Sequence, residues 1–419
     1  MIFLRDSVDD GGDENDLRFV VQIPHQQSPI INHPSYAMNS LFFSRCFLTL
    51  SLIPVFFISL FAENDDPGEF SIPDVIPIPM EAVHQLRALV KTDPEAAARA
   101  EELKEAVRPL LGQPATPLEV IHYEGLLNND PRRIASVAKL KQMGHAAMLV
   151  RHWQATGDPA AADTLRTWIE AWFGAYELTG NDVNENKFLP LLIAYFYLRP
   201  EFSSDTRAAI DAFVGELGDV HARAVEASTH FTNRYTKHVR LTTLAGMILE
   251  RPEWIAASRA GVMRFVEESL HADGSSNDLQ RRDTLTYHNS ALRPAIQIAM
   301  LAPLEEGQAL YDWGNSRGGS LRKSVNLVVP YALGQKTREE WKNSTIDLDR
   351  RRAEAGIDHY EAGRLYDPQN ALRLMELAAY FDPALIKVVH HLTDSSAERF
   401  ATWQGMVNAA VAATRQAGR

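Results

Sequence analysis

From about residue 81 onward, hydrophobic and polar positions recur with the period of an α-helix. In one segment, six apolar side chains follow the spacing of a single helix face: Leu165, Trp168, Ile169, Trp172, Phe173 and Tyr176. The strict alternation that marks a β-strand is scarce along the chain. Residues 324–331 are ambiguous, since their apolar run fits either a strand or a buried helix. The pattern predicts an all-α protein.

After residue 81, five Asp-Pro pairs mark predicted helix starts. An aspartate at the N-cap accepts hydrogen bonds from unpaired N–H groups, and proline suits the first turn because it has no N–H to leave unpaired. The pairs are Asp93-Pro94, Asp130-Pro131, Asp158-Pro159, Asp367-Pro368 and Asp382-Pro383. With usual helix and loop lengths, the chain after residue 81 has room for roughly twelve to fourteen helices of ~12–18 residues.

Helices joined by short loops form antiparallel hairpins, and these must close around a core. No repeat of fixed period is visible, which argues against tetratricopeptide or HEAT arrays. An (α/α) toroid, an incomplete barrel of helical hairpins, fits the length and the pattern without a repeat. An irregular solenoid or a loose helical bundle is the alternative. Since no change in composition suggests a second domain, we expect one domain over residues 81–419.

Residues 38–62 have the layout of a secretory signal peptide. A basic residue, Arg45, precedes an apolar run from Phe47 to Phe61, which ends before an acidic stretch. The run is shorter than the roughly 20 apolar residues of a spanning helix, so a cleaved signal is favoured over a membrane anchor. We therefore expect a periplasmic or extracellular protein with no stable membrane association after cleavage.

The segments on either side of the signal follow from this interpretation. Residues 1–37 are polar and without pattern, so we interpret them as a disordered or incorrectly assigned extension, with translation beginning at Met38. Residues 63–80 are rich in Pro, Asp and Glu and are interpreted as a linker. The single cysteine, Cys46, lies within the signal, so a mature chain would have neither disulfides nor thiolate chemistry.

The net charge of the chain favours some classes of binding partner over others. The formal net charge is −12, which disfavours nucleic-acid binding because nucleic-acid binders are normally basic. An anionic sugar polymer is compatible with it, because a basic cleft can lie within an acidic exterior. Residues 231–240 contain Arg234, Lys237 and Arg240 but no Asp or Glu, which predicts a locally basic site.

Two segments about fifty residues apart hold the candidate catalytic groups. Residues 231–240 contain His238, which lies four residues after Arg234; on a helix both share one face, and the guanidinium favours the neutral imidazole. Residues 280–289 contain Tyr287 shortly after a pair of arginines. Taken alone, each has a structural explanation, His238 as a hydrogen-bonded or surface histidine and Tyr287 as a core aromatic.

These groups suit β-elimination on a uronate chain. The carboxylate beside C5 must be neutralised, a base must take the C5 proton, and an acid must protonate the leaving O4. Residues 179–188 add three asparagines, which could bind a carboxylate or simply cap the next helix. Glycoside hydrolysis is served less well, because it usually needs two paired carboxylates, for which Glu185 and Asp283 are weak candidates.

Metal and phosphate sites are not indicated. His390 and His391 are adjacent and therefore face different ways on a helix, and no HExxH or comparable spacing occurs. The glycine-rich residues 316–320 lack the P-loop lysine pattern. We expect no metal and no other cofactor.

Over most of residues 115–385, these segments resemble the alginate lyase superfamily of (α/α)-toroid polysaccharide lyases. The strings that carry the likeness are Tyr123-Glu124-Gly125, residues 129–135, Asn184-Glu185-Asn186-Lys187, residues 232–238, Arg281 with residues 287–292, and residues 344–356. The Tyr-His-Asn and Asp-x-x-Arg-Ala-Glu-Ala-Gly strings are fairly specific in combination and weak singly.

The resemblance implies a lyase that cleaves a β-1,4-linked polyuronate without a metal. Tyr287 would protonate the leaving oxygen and, in a syn elimination, could also take the C5 proton. His238 would be the base when that proton lies on the other face. Asn186 or Asn184 would neutralise the carboxylate, and Arg281 would orient Tyr287 or the carboxylate. Further substrate contacts are expected at Lys187, Asn233, Arg234, His288 and Arg352.

Spacing within the superfamily favours its glucuronan-lyase branch. Classical alginate lyases carry Asn-Asn-His, whereas this chain has Thr232-Asn233-Arg234 and places its histidine later, at His238. Alginate, as polymannuronate, and glucuronan are both expected substrates. A glycoside hydrolase on a similar toroid and a non-catalytic binder of acidic glycans are the alternatives. The sequence leaves open the uronic acid, endo or exo action and the oligomeric state.

Overall fold

Helices dominate the structure, a computed structural model that describes residues 72–395, 397 and 399–417. The predicted extension 1–37, the signal 38–62 and the first part of the linker lie outside the described residues. Within the described residues there are 17 α-helices and six 3₁₀ helices, and the only β pairing is two isolated bridges. The predicted all-α class is thus confirmed.

The α-helices are α1 (Met80–Thr92), α2 (Pro94–Val107), α3 (Pro131–Thr156), α4 (Pro159–Ala175), α5 (Asp182–Glu185), α6 (Leu189–Leu198), α7 (Ser204–Ala227), α8 (Asn233–Ile248), α9 (Pro252–Ser269), α10 (Asn277–Arg282), α11 (Leu285–Leu301), α12 (Leu304–Asp312), α13 (Leu321–Ala332), α14 (Asp347–Glu354), α15 (Leu372–Ala378), α16 (Ile386–Thr393) and α17 (Trp403–Ala417). The 3₁₀ helices are Arg108–Leu110, Asn186–Phe188, Arg199–Glu201, Asp358–Tyr360, Pro368–Ala371 and Pro383–Leu385.

The local sequence signals act as predicted. All five Asp-Pro aspartates accept an N–H from the turn that follows, three of them at α2, α3 and α4 and two at 3₁₀ helices. The apolar face of residues 165–176 is buried. The ambiguous residues 324–331 lie in helix α13. The helix count exceeds the expected twelve to fourteen, because short helices such as α5 and α10 carry no periodic pattern of their own.

Seven helices pack in sequence to form a ring. Helices α1, α3, α6, α8, α11, α15 and α17 each contact the next, and α17 returns to α1. Helices α2, α4, α7, α9, α12 and α16 pack outside them, each against a neighbour in the ring. This is the predicted (α/α) arrangement of helical hairpins. Among the helices described, none is long and apolar enough to cross a membrane.

The segment before α1 packs against the ring. Ile76 and Ile78 are buried, and the N–H of Ile78 donates to the Tyr197 hydroxyl at 2.7 Å. The buried carboxylate of Asp74 lies 3.4 Å from the guanidinium of Arg293. Residues 72–79, the described part of the segment interpreted as a linker, therefore pack against the helices through these side chains.

Helix α8 has a position that matters for the site. It packs against α6, α7, α9 and α11, so its polar first turns meet residues from several parts of the chain. Its N-cap residue, Thr232, makes no side-chain cap. Instead the carboxylate of Asp278, in α10, accepts the N–H of Asn233 at 2.7 Å. A carboxylate at a helix N-terminus is favoured by the helix dipole, and here it joins α8 to the short helix that precedes Tyr287.

Candidate active site

The first turn of α11, which carries Tyr287, is held by a buried carboxylate from a distant loop. Glu340 accepts the Thr284 hydroxyl at 2.8 Å and the N–H of Leu285 at 2.6 Å. Burial raises the pKa of Glu340, although these hydrogen bonds oppose that shift. The loop around residue 340 thus fixes where the helix begins, and with it the position of the tyrosine.

Aromatic and guanidinium groups surround Tyr287, and we call Arg282, Tyr287, Trp341, Arg352 and Tyr360 the tyrosine cluster. The Arg282 guanidinium lies 3.4 Å from the centroid of the Tyr287 ring. The Tyr360 hydroxyl is 3.0 Å from that of Tyr287, and Arg352 donates to the same hydroxyl at 3.4 Å. Trp341 meets the ring edge to face, with centroids 5.7 Å apart. The two guanidinium groups would balance the negative charge left on the phenol oxygen after proton donation.

Arg282, rather than Arg281, is the arginine that orients Tyr287. Asp349 holds Arg282 through both carboxylate oxygens, with the Arg282 Nε donating at 3.0 Å. The backbone carbonyl of Arg281 accepts the N–H of Thr345 at 2.8 Å. Within the described part of the chain, no hydrogen bond or ion pair holds the Arg281 guanidinium. Two roles were predicted for Arg281, to orient Tyr287 or to orient the substrate carboxylate. The contacts of Arg282 leave the second role for Arg281, as a prediction.

His238 belongs to a second group of polar side chains, the histidine cluster of Asp182, Glu185, His221 and His238. The two imidazoles lie Nδ1 to Nδ1 at 2.7 Å, and His221 Nε2 lies 2.7 Å from Glu185 Oε2. Asp182 Oδ1 is 3.8 Å from His238 Nε2 and accepts from Arg234 at 2.7 Å.

The His238 imidazole is neutral over a wide pH range. Burial lowers the pKa of His238 to about 4, and the positive charge of Arg234 adds to this shift while Asp182 opposes it. A neutral imidazole is the form that accepts a proton. The predicted effect of Arg234 on His238 is present, but burial is the larger cause.

Asp278 links the start of α8, the helix that carries His238, to Arg282 of the tyrosine cluster. Its carboxylate binds the start of α8 at Asn233, while its charge interacts with Arg282 of the tyrosine cluster and with Lys237. Burial raises the pKa of Asp278 to about 6. Across residues 72–395, no hydrogen bond or ion pair connects His238 directly to Tyr287. The structure therefore places the two segments side by side, with α8 against α11, and keeps their reactive atoms in separate clusters.

Asn186 lies beside a small pocket and is already engaged. Its Oδ1 accepts from Arg240 Nη2 at 2.7 Å, and its Nδ2 donates to the carbonyl of Asp182 at 2.7 Å. The pocket has about 50 Å³ of space, far below the volume of ordinary ligand sites. Its lining residues include Asp74, Asn186, Lys187, Arg240 and Arg293. Asn186 therefore meets a substrate carboxylate only if these bonds are exchanged.

Three other predicted contacts have partners within the fold. Asn184 donates to the carbonyl of Ile121 at 3.0 Å and accepts the N–H of Glu124 at 3.2 Å. The Lys187 ammonium lies 4.4 Å from the centroid of the Tyr123 ring. The Asn233 side chain is buried at the start of α8. The substrate-binding roles of these three residues stay predictions.

The other three predicted substrate contacts, His288, Arg352 and Arg234, lie in different surroundings. His288 is fully buried, with its ring nitrogens 2.8 Å from the Ser276 hydroxyl and 3.0 Å from the Ser324 carbonyl. Arg352 is a member of the tyrosine cluster and acts on the phenol. The Arg234 side chain is 51% exposed, so a substrate contact there stays a prediction.

Sequence reasoning missed His221 and Tyr360. His221 lies on α7, and no spacing rule in the sequence relates it to His238 on α8. Only the packing of α7 against α8 brings the two rings together. Tyr360 follows the Asp-x-x-Arg string closely, and that proximity was the available signal. The described residues contain no group of three or more His, Cys, Asp or Glu side chains placed to hold a metal.

Comparison with known proteins identifies a family whose model matches this chain. A family model described as "Alginate lyase" matches residues 85–338, more than half of the chain. A "Polysaccharide lyase" of Stenotrophomonas maltophilia (strain K279a) is 25% identical over 186 residues, which are 41% of this chain and 55% of that protein. The chain thus spans about half the length of this curated relative.

Solved structures share the fold at low identity. An alginate lyase from Bacteroides ovatus superposes with a TM-score of 0.52 at 12% identity, over 79% of this chain and 97% of that one. A variant of alginate lyase A1-III complexed with tetrasaccharide has a TM-score of 0.52 at 14% identity, over 74% and 90% of the two chains. At these identities the likeness concerns the (α/α) toroid fold alone.

Proposed function

The chain belongs to the alginate lyase family, and from this premise we propose that it is a polysaccharide lyase that cleaves a β-1,4-linked polyuronate by β-elimination. The observation that carries the proposal is the 2.7 Å contact between Asn233 and Asp278. It sets the helix that carries His238 beside the segment that leads into Tyr287, and we infer that the neutral base of one cluster and the phenol of the other act on the same bound polymer.

Each proposed role follows from the contacts of the side chain. Arg281, which the described residues leave without an ion-pair partner, would bind the uronate carboxylate and balance the charge that builds on it. Tyr287, beside two guanidinium groups, would give its proton to the leaving O4. His238 would take the C5 proton when that proton lies on the face opposite the leaving oxygen; in a syn elimination Tyr287 would serve both steps.

We extend the proposal to two groups of substrates. The late position of His238 relative to Asn233 favours glucuronan, and membership of the family favours alginate. Export through residues 38–62 would place the enzyme where such polymers occur. The A1-III variant is a complex with tetrasaccharide, and by analogy we propose an acidic oligosaccharide or polysaccharide as the ligand here.

A hydrolase mechanism is disfavoured because its two candidate carboxylates, Glu185 and Asp283, are buried or paired with other residues. Glu185 is wholly buried in the histidine cluster. Asp283 forms an ion pair with Arg338 and accepts the N–H of Asn343 at 3.0 Å. Inverting and retaining hydrolases both need two carboxyl groups that face the glycosidic bond, and neither of these residues is free to do so.

Activity on defined polymers tests the proposal. The purified chain is incubated with polymannuronate, polyguluronate and glucuronan, and ultraviolet absorbance of the unsaturated product is followed. Rising absorbance on at least one polymer is the expected result. New reducing ends without absorbance would indicate a hydrolase, and binding without either signal would indicate a glycan-binding protein. Both outcomes contradict the proposal.

The low pKa of His238 gives a pH prediction for substrates that need it as the base. Because the neutral form is active, the part of kcat/KM that depends on His238 should be lost with a midpoint of about 4 as the pH falls. An unperturbed histidine would give a midpoint near about 6.5. The charged and titratable neighbours that set this value are Asp182, Glu185, His221 and Arg234.

Stability must be followed in the same experiment. The unfolded chain binds a proton at His238 near its ordinary pKa, above that of the folded chain, so the free energy of unfolding falls as pH drops from about 6.5 to about 4. Circular dichroism at each pH separates unfolding from titration of the base. A midpoint near 6.5 in folded protein would contradict the assignment of His238.

A further inference from the structure

Behind His238 lies a buried line of groups that does not face the substrate. The line runs from His238 Nδ1 to His221 Nδ1 at 2.7 Å, and His221 Nε2 lies 2.7 Å from Glu185 Oε2, an ion-pair contact that lacks the alignment of a hydrogen bond. His221 and Glu185 have no exposed side-chain surface, whereas 15% of the His238 side chain is exposed. The two buried residues can therefore influence a substrate only through His238.

Glu185 is an ionised acceptor. Its Oε1 accepts the N–H groups of Thr179 at 2.7 Å and Gly180 at 2.9 Å, together with the Thr179 hydroxyl. The turn that aims both N–H groups at one oxygen uses a positive φ of +73° at Gly180, where a Cβ would meet Val220 at 2.9 Å. Burial by itself raises the pKa of Glu185, but the close His221 imidazole and the hydrogen bonds from Thr179 hold it below its ordinary value.

The Glu185 carboxylate determines which ring nitrogen of His221 and of His238 carries a hydrogen. A carboxylate only accepts, so His221 carries its hydrogen on Nε2. In a neutral His221 the Nδ1 then has a lone pair, and it must receive a hydrogen from His238 Nδ1. His238 in turn has a lone pair on Nε2. One set of protons is thus compatible with both short contacts and leaves both rings neutral.

The Nε2 atom of His238 is left for chemistry. The carboxylate oxygen Asp182 Oδ1 lies 3.8 Å from it, too far for a hydrogen bond. That oxygen is bound instead by Arg234, whose Nε donates at 2.8 Å. Within the described residues, no hydrogen bond reaches His238 Nε2, so the basic nitrogen is unpaired.

We propose that His221 and Glu185 are positioning residues that hold His238 in its Nδ1–H tautomer and accept its charge during proton abstraction. The part that concerns turnover rests on the proposed function; the part that concerns the tautomer does not.

The proton transfers balance in this scheme. As the C5–H bond breaks, its electron pair stays on the sugar and the proton binds His238 Nε2. The Nδ1 proton of His238 moves to His221 Nδ1. His221 becomes an imidazolium beside ionised Glu185, and His238 is again neutral with its hydrogen on Nε2. After elimination, the Nδ1 proton returns to His238 and the Nε2 proton passes to solvent, which restores the starting state.

The substitution Glu185→Gln tests the tautomer directly. The amide oxygen would keep the place of Oε1, because only an acceptor satisfies the N–H groups of Thr179 and Gly180. The amide nitrogen would then face His221 Nε2 as a donor. His221 would move its hydrogen to Nδ1, and His238 would have to place its own on Nε2, the atom that serves as the base.

Nitrogen NMR of ¹⁵N-histidine-labelled full-length chain, without substrate at neutral pH, measures both states. We expect His238 to carry its proton on Nδ1 in the wild-type chain and on Nε2 in Glu185→Gln, with the resonances assigned by comparison with His238→Gln. A wild-type His238 with its proton on Nε2, or the same tautomer in both proteins, would overturn the proposal. The wild-type spectrum is decisive even if the variant does not fold.

Kinetics separate the proposal from a purely structural role. On a polymer that needs His238, Glu185→Gln should lower kcat by about 10²-fold while KM stays within about twofold. Asp211→Asn is the matched control, since it also turns a partly buried carboxylate paired with Arg199 into an amide, and it should retain the wild-type kcat. Equal losses in both variants would contradict the proposal.

The two proposals fail in different ways. If no polyuronate is cleaved but the tautomers exchange, the proposed function is wrong and the proton assignment stands. If the wild-type chain is an active lyase and the tautomers do not exchange, the positioning role is wrong and the function stands.

Discussion

Tyr287→Phe is expected to lower kcat on any cleaved polyuronate by about 10³-fold, within the range that general acid–base groups contribute. The substitution removes the only proton that the phenol can give to the leaving oxygen. The ring itself would stay between Arg282 and Trp341, because these contacts do not use the hydroxyl. KM should therefore change little, since an interaction made only in the transition state lowers kcat alone.

A second tyrosine gives the control for this variant. Tyr311 is as deeply buried as Tyr287, stacks on Phe381 with centroids 4.9 Å apart, and has a hydroxyl without a hydrogen-bond partner among the described residues. Tyr311→Phe should keep wild-type kcat and a similar melting temperature. Retention of activity by Tyr287→Phe would remove the phenol from the mechanism, and a rise in KM with normal kcat would make Tyr287 a binding residue.

His238→Gln is expected to separate substrates by the configuration at C5. Mannuronate and guluronate are epimers at C5, so their protons lie on opposite faces of the ring. Where the C5 proton lies opposite the leaving oxygen, loss of the imidazole base should lower kcat by about 10²–10³-fold. Where both lie on one face, Tyr287 serves both steps and the loss should be smaller.

The measurement is the ratio of kcat between wild type and variant on each polymer that the wild-type chain cleaves. His391→Gln, at an exposed position on α16, is the control and should leave every ratio near one. Equal losses on polymers of both configurations would contradict the division of roles between His238 and Tyr287.

The fold could be predicted because its signals are local. Each Asp-Pro pair marks a helix start through contacts within one turn, and the face from Leu165 to Tyr176 shows its buried side by spacing alone. The segment before α1 carries no such signal. Its packing depends on the carboxylate of Asp74, whose arginine neighbours lie far along the chain, and the pattern of residues 72–79 says nothing of them.

The site was predictable only in part, for a related reason. His238 and Tyr287 stand out because their neighbours in sequence are also functional groups. The hydrogen-bond partners of an asparagine side chain cannot be predicted from the residues next to it in sequence. Asn184 donates to the carbonyl of Ile121, and Asn186 accepts from Arg240, both distant in sequence. His221 reaches His238 only through the packing of two long helices. Motif strings therefore identify candidate residues, while their hydrogen bonds depend on the tertiary structure.

The most direct test of the central claim is the mass of the fragments released from a polyuronate by the wild-type chain. Elimination without water predicts that every cleavage yields a new non-reducing end one water lighter than a hydrolysed one, with matching ultraviolet absorbance. Fragments that carry the full mass of added water, or an intact polymer after incubation with alginate and glucuronan, would contradict the assignment of a lyase.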